Sequence, residues 1–89
     1  MDTAVVILNW NGLRWLEQFL PLVMEHTAED ARVIVADNGS TDGSVAWIKA
    51  NLPAVELIEL PLNQGFAGGY NAALAQVEAE YFILLNSDV

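Results

Sequence analysis

The sequence contains no cysteine, which excludes disulfide staples, thiolate metal sites and a cysteine nucleophile. It is also poor in positive charge: Lys and Arg number 3 against 12 Asp and Glu, for a formal net charge of −9. A nucleic-acid module needs a basic face to neutralise phosphates, so no nucleic-acid partner is expected. An anionic membrane surface repels the chain for the same reason. No apolar run approaches the roughly 20 residues of a membrane span. The start, Met1-Asp2-Thr3-Ala4, lacks the basic region of a secretory signal. A soluble, cytoplasmic protein is the resulting expectation. What is abundant is apolar: 54% of the residues are hydrophobic and 17% charged, too apolar for a disordered tail. At 89 residues this is a single small domain, residues 1–89, whose core needs nearly every strand available.

Four short apolar runs, Ala4–Leu8, Arg32–Ala36, Val55–Leu60 and Tyr81–Leu85, read as strands. The first, second and fourth are nearly continuous, the pattern of strands covered by helices on both faces of a parallel sheet. The third alternates in part and reads as an edge strand with one wet face. Between them lie helical periodicities: Leu13, Leu16, Leu20 and Val23; then Val45, Ile48 and Leu52; then Phe66, Tyr70, Ala73, Leu74 and Val77. Pro21 inside the first predicts a kink or a break into two pieces. Ser40, Thr41 or Asp42 is available to cap the second helix. The order β-α-β-α-β-α-β predicts an α/β, Rossmann-like open parallel sheet of four strands with helices on both faces. A fourth strand with no following helix leaves part of the sheet bare, as in the front half of a larger domain.

In such a sheet, ligands bind beyond the carboxyl ends of the strands, where the strand order reverses. Those ends carry Asn9-Trp10-Asn11-Gly12, Asp37-Asn38-Gly39-Ser40-Thr41-Asp42-Gly43-Ser44, Asn63-Gln64-Gly65-Phe66-Ala67-Gly68-Gly69-Tyr70-Asn71 and Asn86-Ser87-Asp88. The first turn is not G-x-G-x-x-G, and the lone lysine, Lys49, lies inside a helix. Neither a dinucleotide fingerprint nor a P-loop is present. A bare phosphate would meet Asp37, Asp42 and Asp88 with few cations to offset them. A hard divalent cation, Mg²⁺ or Mn²⁺, reverses this, because it takes one or two carboxylate oxygens and shares its remaining positions with a diphosphate. Helix N-termini near Gly43 and Gly65–Gly69 add N–H donors, and Trp10 offers a flat face to a base.

Taken in order, Val5–Asn11, Val33–Ser44, Asn63–Asn71 and Leu84–Asp88 resemble the N-terminal half of family-two glycosyltransferases with a GT-A-type fold. The resemblance implies a nucleotide-diphosphate sugar of UDP or dTDP type as ligand, with transfer to an acceptor hydroxyl with inversion and a divalent metal. It implies that Asn9, Trp10 and Asn11 border the nucleobase and that Asp37 accepts from base or ribose. Asn63, Gly65, Gly68, Gly69 and Asn71 would shape the sugar-phosphate pocket. Asn86-Ser87-Asp88 falls on the family's Asp-x-Asp motif, with Asn86 in place of its first Asp, leaving Asp88 as metal ligand. The acceptor, a carbohydrate or lipid-linked molecule, and the general base would be bound by sequence after Val89. The 89 residues alone are therefore expected not to transfer sugar, and the parent enzyme could work at the inner face of the membrane.

The same residues have plainer roles. Asn11 reads first as the N-cap of the first helix, Asp42 as a cap, Gly68 and Gly69 as close helix–sheet packing, and Asn63 and Asn71 as partners of loop backbone. Trp15 and Trp47 fall off the apolar stripes. An alternative of another class is a non-catalytic α/β interaction module that self-associates through the bare side of the sheet, giving a homodimer. A phospho-acceptor receiver is disfavoured, because Asp2 precedes the first strand instead of ending it.

Overall fold

A computed structural model describes residues 3–27 and 30–87. The order is β1 (Thr3–Asn9), α1 (Leu13–Thr27), β2 (Arg32–Asn38), α2 (Ser44–Asn51), β3 (Glu56–Leu60), α3 (Gly65–Leu74) and β4 (Tyr81–Asn86). The four strands form one sheet in the order β3-β2-β1-β4, with every pair parallel. The predicted α/β architecture is the one observed. Strand order reverses at β1, which has β2 on one side and β4 on the other, so the switch point lies between the tips of β1 and β4.

Successive side chains along a strand point to opposite faces, and the core divides accordingly. Val5 and Ile7 of β1, with Val33 and Val35 of β2, pack against Leu16 and Leu20 of α1 and Ile48 of α2. Ala4, Val6 and Leu8, with Ile34 and Ala36, pack against Tyr70 and Ala73 of α3. Helices therefore cover both faces of the central pair, which is why β1 is apolar from Ala4 to Leu8 and β2 from Val33 to Ala36.

Several expectations need correction. Pro21 lies within α1 without breaking it. The residue is exposed, and Leu16 and Leu20 on one side of it and Val23 and Met24 on the other hold both halves of the helix to the same face of the sheet. Helix α3 stops at Leu74, one turn short of the apolar stripe. Val77 still reaches the core from the turn that follows, where its N–H donates to the Leu74 carbonyl at 3.3 Å. The side chain of Phe66, part of that stripe, lies outside the described set. At β4 the expectation of cover from the apolar run gives way to the expectation of a bare side from the missing helix. The run of Tyr81 to Leu85 reads like β1 and β2, but these five side chains are 37–57% exposed. β4 pairs with β1 along one edge and, among the described residues, neither core cluster extends over it. β3 is the other edge, as its alternating pattern predicts.

Candidate functional site

The strands run further than the apolar runs suggested. Asn9, Asp37 and Asn38 are the last residues of their strands and lie in register, Asn9 beside Asp37 and Asn38 beside Leu60. Parity decides what each then meets. Asn9 and Asp37 follow Ile7 and Val35 onto the face covered by α1 and α2; Asn38 follows Ala36 onto the α3 face.

On the first face, Asn9 is fully buried and Asp37 is 3% exposed. The Asn9 Nδ2 group donates to Asp37 Oδ1 at 2.9 Å and to Ser40 Oγ at 3.2 Å. Asn9 Oδ1 accepts from Ser87 Oγ at 2.7 Å. The second Asp37 oxygen accepts the Ser40 N–H at 2.9 Å. The tips of β1, β2 and β4 are thus fastened together through one amide. Ser87 N–H continues the β1–β4 ladder by donating to Leu8 O at 3.1 Å.

On the other face, buried Asn38 holds the β3–α3 loop. Its Nδ2 donates to Asn63 Oδ1 and to Gly65 O, each at 3.1 Å, and its Oδ1 accepts the Gln64 N–H at 2.9 Å. Asn63 Oδ1 also accepts the Gly65 N–H at 2.7 Å, so Asn63 organises the loop backbone as its residue type suggested. The sequence reading passed over Asn38. The signal was its parity, which sends its side chain toward the loop returning from β3.

Asp42 caps, and it caps two helices. Its Oδ2 accepts the Leu13 N–H that opens α1, and its Oδ1 accepts the Ser44 N–H that opens α2, both at 3.0 Å. Ser44 Oγ also donates to it. Burial pushes the Asp42 carboxyl upward, but the hydrogen bonds from the Ser44 hydroxyl and from the Leu13 and Ser44 N–H groups outweigh it and hold the group below its ordinary range. Asn11 does not cap α1. It sits in the left-handed region at φ 51° and ties the β1–α1 turn to the β2–α2 loop, accepting the Thr41 N–H at 2.7 Å while its own N–H donates to Ser40 Oγ at 2.9 Å.

The remaining expected site residues fall as follows. Trp10 follows β1 and is 49% exposed, free to present a ring face. Asn86 is half-buried, in register with Leu8 at the switch point. Gly65 opens α3, and Gly69 packs against Asn38 and Leu8. Asn71 lies exposed about 9 Å along α3 from Gly65, away from the strand tips. Asp88, the expected metal ligand, lies outside the described residues. Among those that are described, no group of three or more acidic or histidine side chains converges as a metal cage. No described helix is long and apolar enough to cross a membrane.

A model of glycosyl transferase family 2 matches residues 4–89. The chain belongs to this family. It is 30% identical over 99% of its length to an uncharacterized glycosyltransferase of Nostoc sp., of which it spans 28%. To the N-acetylglucosaminyl-diphospho-decaprenol L-rhamnosyltransferase of Mycobacterium tuberculosis it is 33% identical over 82% of its length, spanning 24% of that protein. The chain is thus less than a third as long as these curated relatives. Among solved structures, the mannosyltransferase PcManGT of Pyrobaculum calidifontis, in complex with GDP-Man and Mn²⁺, superposes with a TM-score of 0.82 at 24% identity, covering 97% of this chain and 27% of that one. The likeness shows that this family 2 chain has the fold of a glycosyltransferase.

Proposed function

We propose that the chain is the part of a family 2 glycosyltransferase that binds a nucleotide-diphosphate sugar, of UDP or dTDP type, with a divalent cation. The observation that carries this is the convergence of the β1, β2 and β4 tips at the switch point, with Trp10 exposed beside them. Trp10 and Asn11 border the base, and the rim formed by Asn63, Gly65, Gly68 and Asn86 faces the ribose and diphosphate, with buried Asp37 and Gly69 supporting it from beneath. Asp88 would hold Mg²⁺ or Mn²⁺, which supplies positive charge to the leaving diphosphate. With one carboxylate from the protein, the donor set fits a cation that shares its coordination with the diphosphate, because such ions are commonly held by one or two carboxylates plus phosphate oxygens.

Transfer to an acceptor hydroxyl, with inversion, follows in the whole enzyme. The acceptor is a carbohydrate or a lipid-linked molecule, a reading supported by the mycobacterial relative, named as an N-acetylglucosaminyl-diphospho-decaprenol L-rhamnosyltransferase. A lipid-linked acceptor would put the reaction at a membrane surface, in keeping with a parent enzyme at the inner face. The 89 residues by themselves bind donor without transferring it, since relatives are more than three times as long. Calorimetric titration of the folded chain with UDP, dTDP and GDP, with and without Mn²⁺, and with Mn²⁺ alone, tests the reading. Weak binding of metal alone and clear binding of one nucleotide with metal is expected. No binding by any of the three in the presence of Mn²⁺ would sink it.

The bare β4 edge favours a second property of the isolated chain, pairing with another copy. β4 carries no charge from Tyr81 to Asn86 and no edge-guarding Lys or Pro. Antiparallel pairing about a two-fold axis perpendicular to the sheet must oppose residues of the same face. Centring on Ile83 then sets Tyr81 against Leu85 and Phe82 against Leu84, with Glu80 opposite Asn86. Every inner pair is apolar and no carboxylates face each other.

A further inference from the structure

Resting on the donor-site reading above, we infer that Asn9 is a positioning residue that fixes the β4 tip relative to the β2 tip. It has no side-chain surface left for a ligand: it is fully buried, both amide hydrogens are donated, and its oxygen accepts from Ser87. The partners it joins sit on strands that do not touch each other, since β1 lies between β2 and β4. One is Asp37, at the β2 tip. The other is Ser87, whose neighbours in the chain are Asn86 and Asp88, the stretch assigned to the diphosphate and its cation. The site needs these two tips at a fixed separation, because a nucleotide diphosphate spans from its ribose to its metal-bound phosphates. Asn9 is the one described side chain that bonds to both.

Packing holds the relay in place. A Cβ at Gly12 would come within 2.5 Å of both Asn9 Oδ1 and Ser87 Oγ, so the backbone just before α1 lies close against this bond. At the other end, Asp37 passes the constraint on by accepting the Ser40 N–H, and Ser40 Oγ in turn accepts from Asn9 Nδ2 and from the Asn11 N–H. The base-side loops are therefore aligned by the same amide that holds the phosphate-side tip.

The polarity of the relay gives it a distinctive test. Asn9→Asp keeps an acceptor for Ser87 but sets a carboxylate against that of Asp37. Adding Asp37→Asn restores the bond with donor and acceptor exchanged and leaves the net charge at that of the native chain. Hydrogen exchange of the Ser40 N–H reports the β2 tip, and that of the Val35 N–H, mid-strand, reports the sheet as a whole. Ser87→Ala, which does not touch Ser40, should speed Ser40 exchange about tenfold beyond any change at Val35, because the Asn9 oxygen loses its partner. Asn9→Asp should do the same, and the Asn9→Asp/Asp37→Asn pair should bring Ser40 back close to its native rate. If Ser40 exchange follows Val35 in every variant, Asn9 is a packing residue and the inference is overturned.

Nucleotide titrations separate this from the parent reading. In Asn9→Ala, the gain in nucleotide affinity on adding Mn²⁺ should shrink by about tenfold, which loss of global stability alone would not produce while the protein remains folded. An undiminished gain would count against positioning. If the native chain binds no nucleotide while Ser40 still responds to Ser87→Ala, the donor-site reading fails and the relay stands.

Discussion

Replacing Asp42 by Ala removes one carboxylate and uncaps two helices. The Leu13 N–H at the start of α1 and the Ser44 N–H at the start of α2 each lose an acceptor at 3.0 Å. Loss of a side-chain cap costs about 1 kcal/mol. Ser44 is fully buried, and its hydroxyl loses its acceptor as well, which adds about 1 kcal/mol or more. The expected loss is about 3 kcal/mol, a large share of the total stability of a domain this size. In a domain of this length that lowers Tm by roughly 12–24 °C. Asp42→Asn keeps one acceptor oxygen and should lose about half as much. Urea and thermal unfolding followed by circular dichroism measure both variants. The pH dependence supplies an independent check. The native Asp42 carboxyl lies below its ordinary value of 3.8, so the unfolded chain binds more protons in the interval between the two. Stability from this group is therefore fully present above the unfolded value and is lost as pH falls through the native one. Asp42→Asn should remove that part of the acid limb. Asp42→Ala within about 0.5 kcal/mol of the native chain would refute the double-cap assignment, since surface substitutions without structural consequence fall in that range.

Two further perturbations follow. Gly39 has φ 82°, and a Cβ there would meet the main chain of Leu62 and Asn63 at 2.7–2.8 Å, so Gly39→Ala should cost about 2–3 kcal/mol in urea unfolding; a change near zero would mean that the β2–α2 turn relaxes freely. Ile83→Lys puts charge at the centre of the β4 edge and should shift sedimentation of the 89-residue chain from dimer to monomer, whereas a native chain that stays monomeric at high concentration removes the pairing mode altogether.

The sequence made the central sheet legible because β1 and β2 are covered on both faces, and that condition writes itself as unbroken Val and Ile runs. At β4 the same signature suggested cover, while the lack of a following helix suggested a bare side, and the bare side is what the structure shows. An apolar run states that a segment avoids water, not what covers it, and Tyr81–Leu85 carries the composition of an inner strand at an outer position. Strand ends were read short because Asn9, Asp37 and Asn38 look like loop residues, while their backbones still pair in register. Pro21 signalled a kink or a break, and tertiary packing keeps the helix unbroken. At the site, the rim of Asn and Asp residues could be seen in one dimension, but its wiring could not. The bonds that define it join residues 28, 31 and 78 positions apart, and which face each tip residue takes depends on strand boundaries that shift by a single residue. Asp42 as a cap was visible from residue type; that it serves a helix 29 residues earlier was not.

The central place of β1 sets a timetable for the chain's birth. Of these four strands β1 is the first to leave the ribosome, and it acquires β2 after some two dozen more residues, yet its other edge stays open until β4 emerges. Asn9 and Ser87 are 78 residues apart, which at ordinary elongation rates is a wait of roughly 4–16 s. Throughout that interval an apolar strand is exposed to whatever else can add to it, so a nascent-chain holdase, or a pause after Ser87 that lets β4 dock, would act on this one unfinished edge.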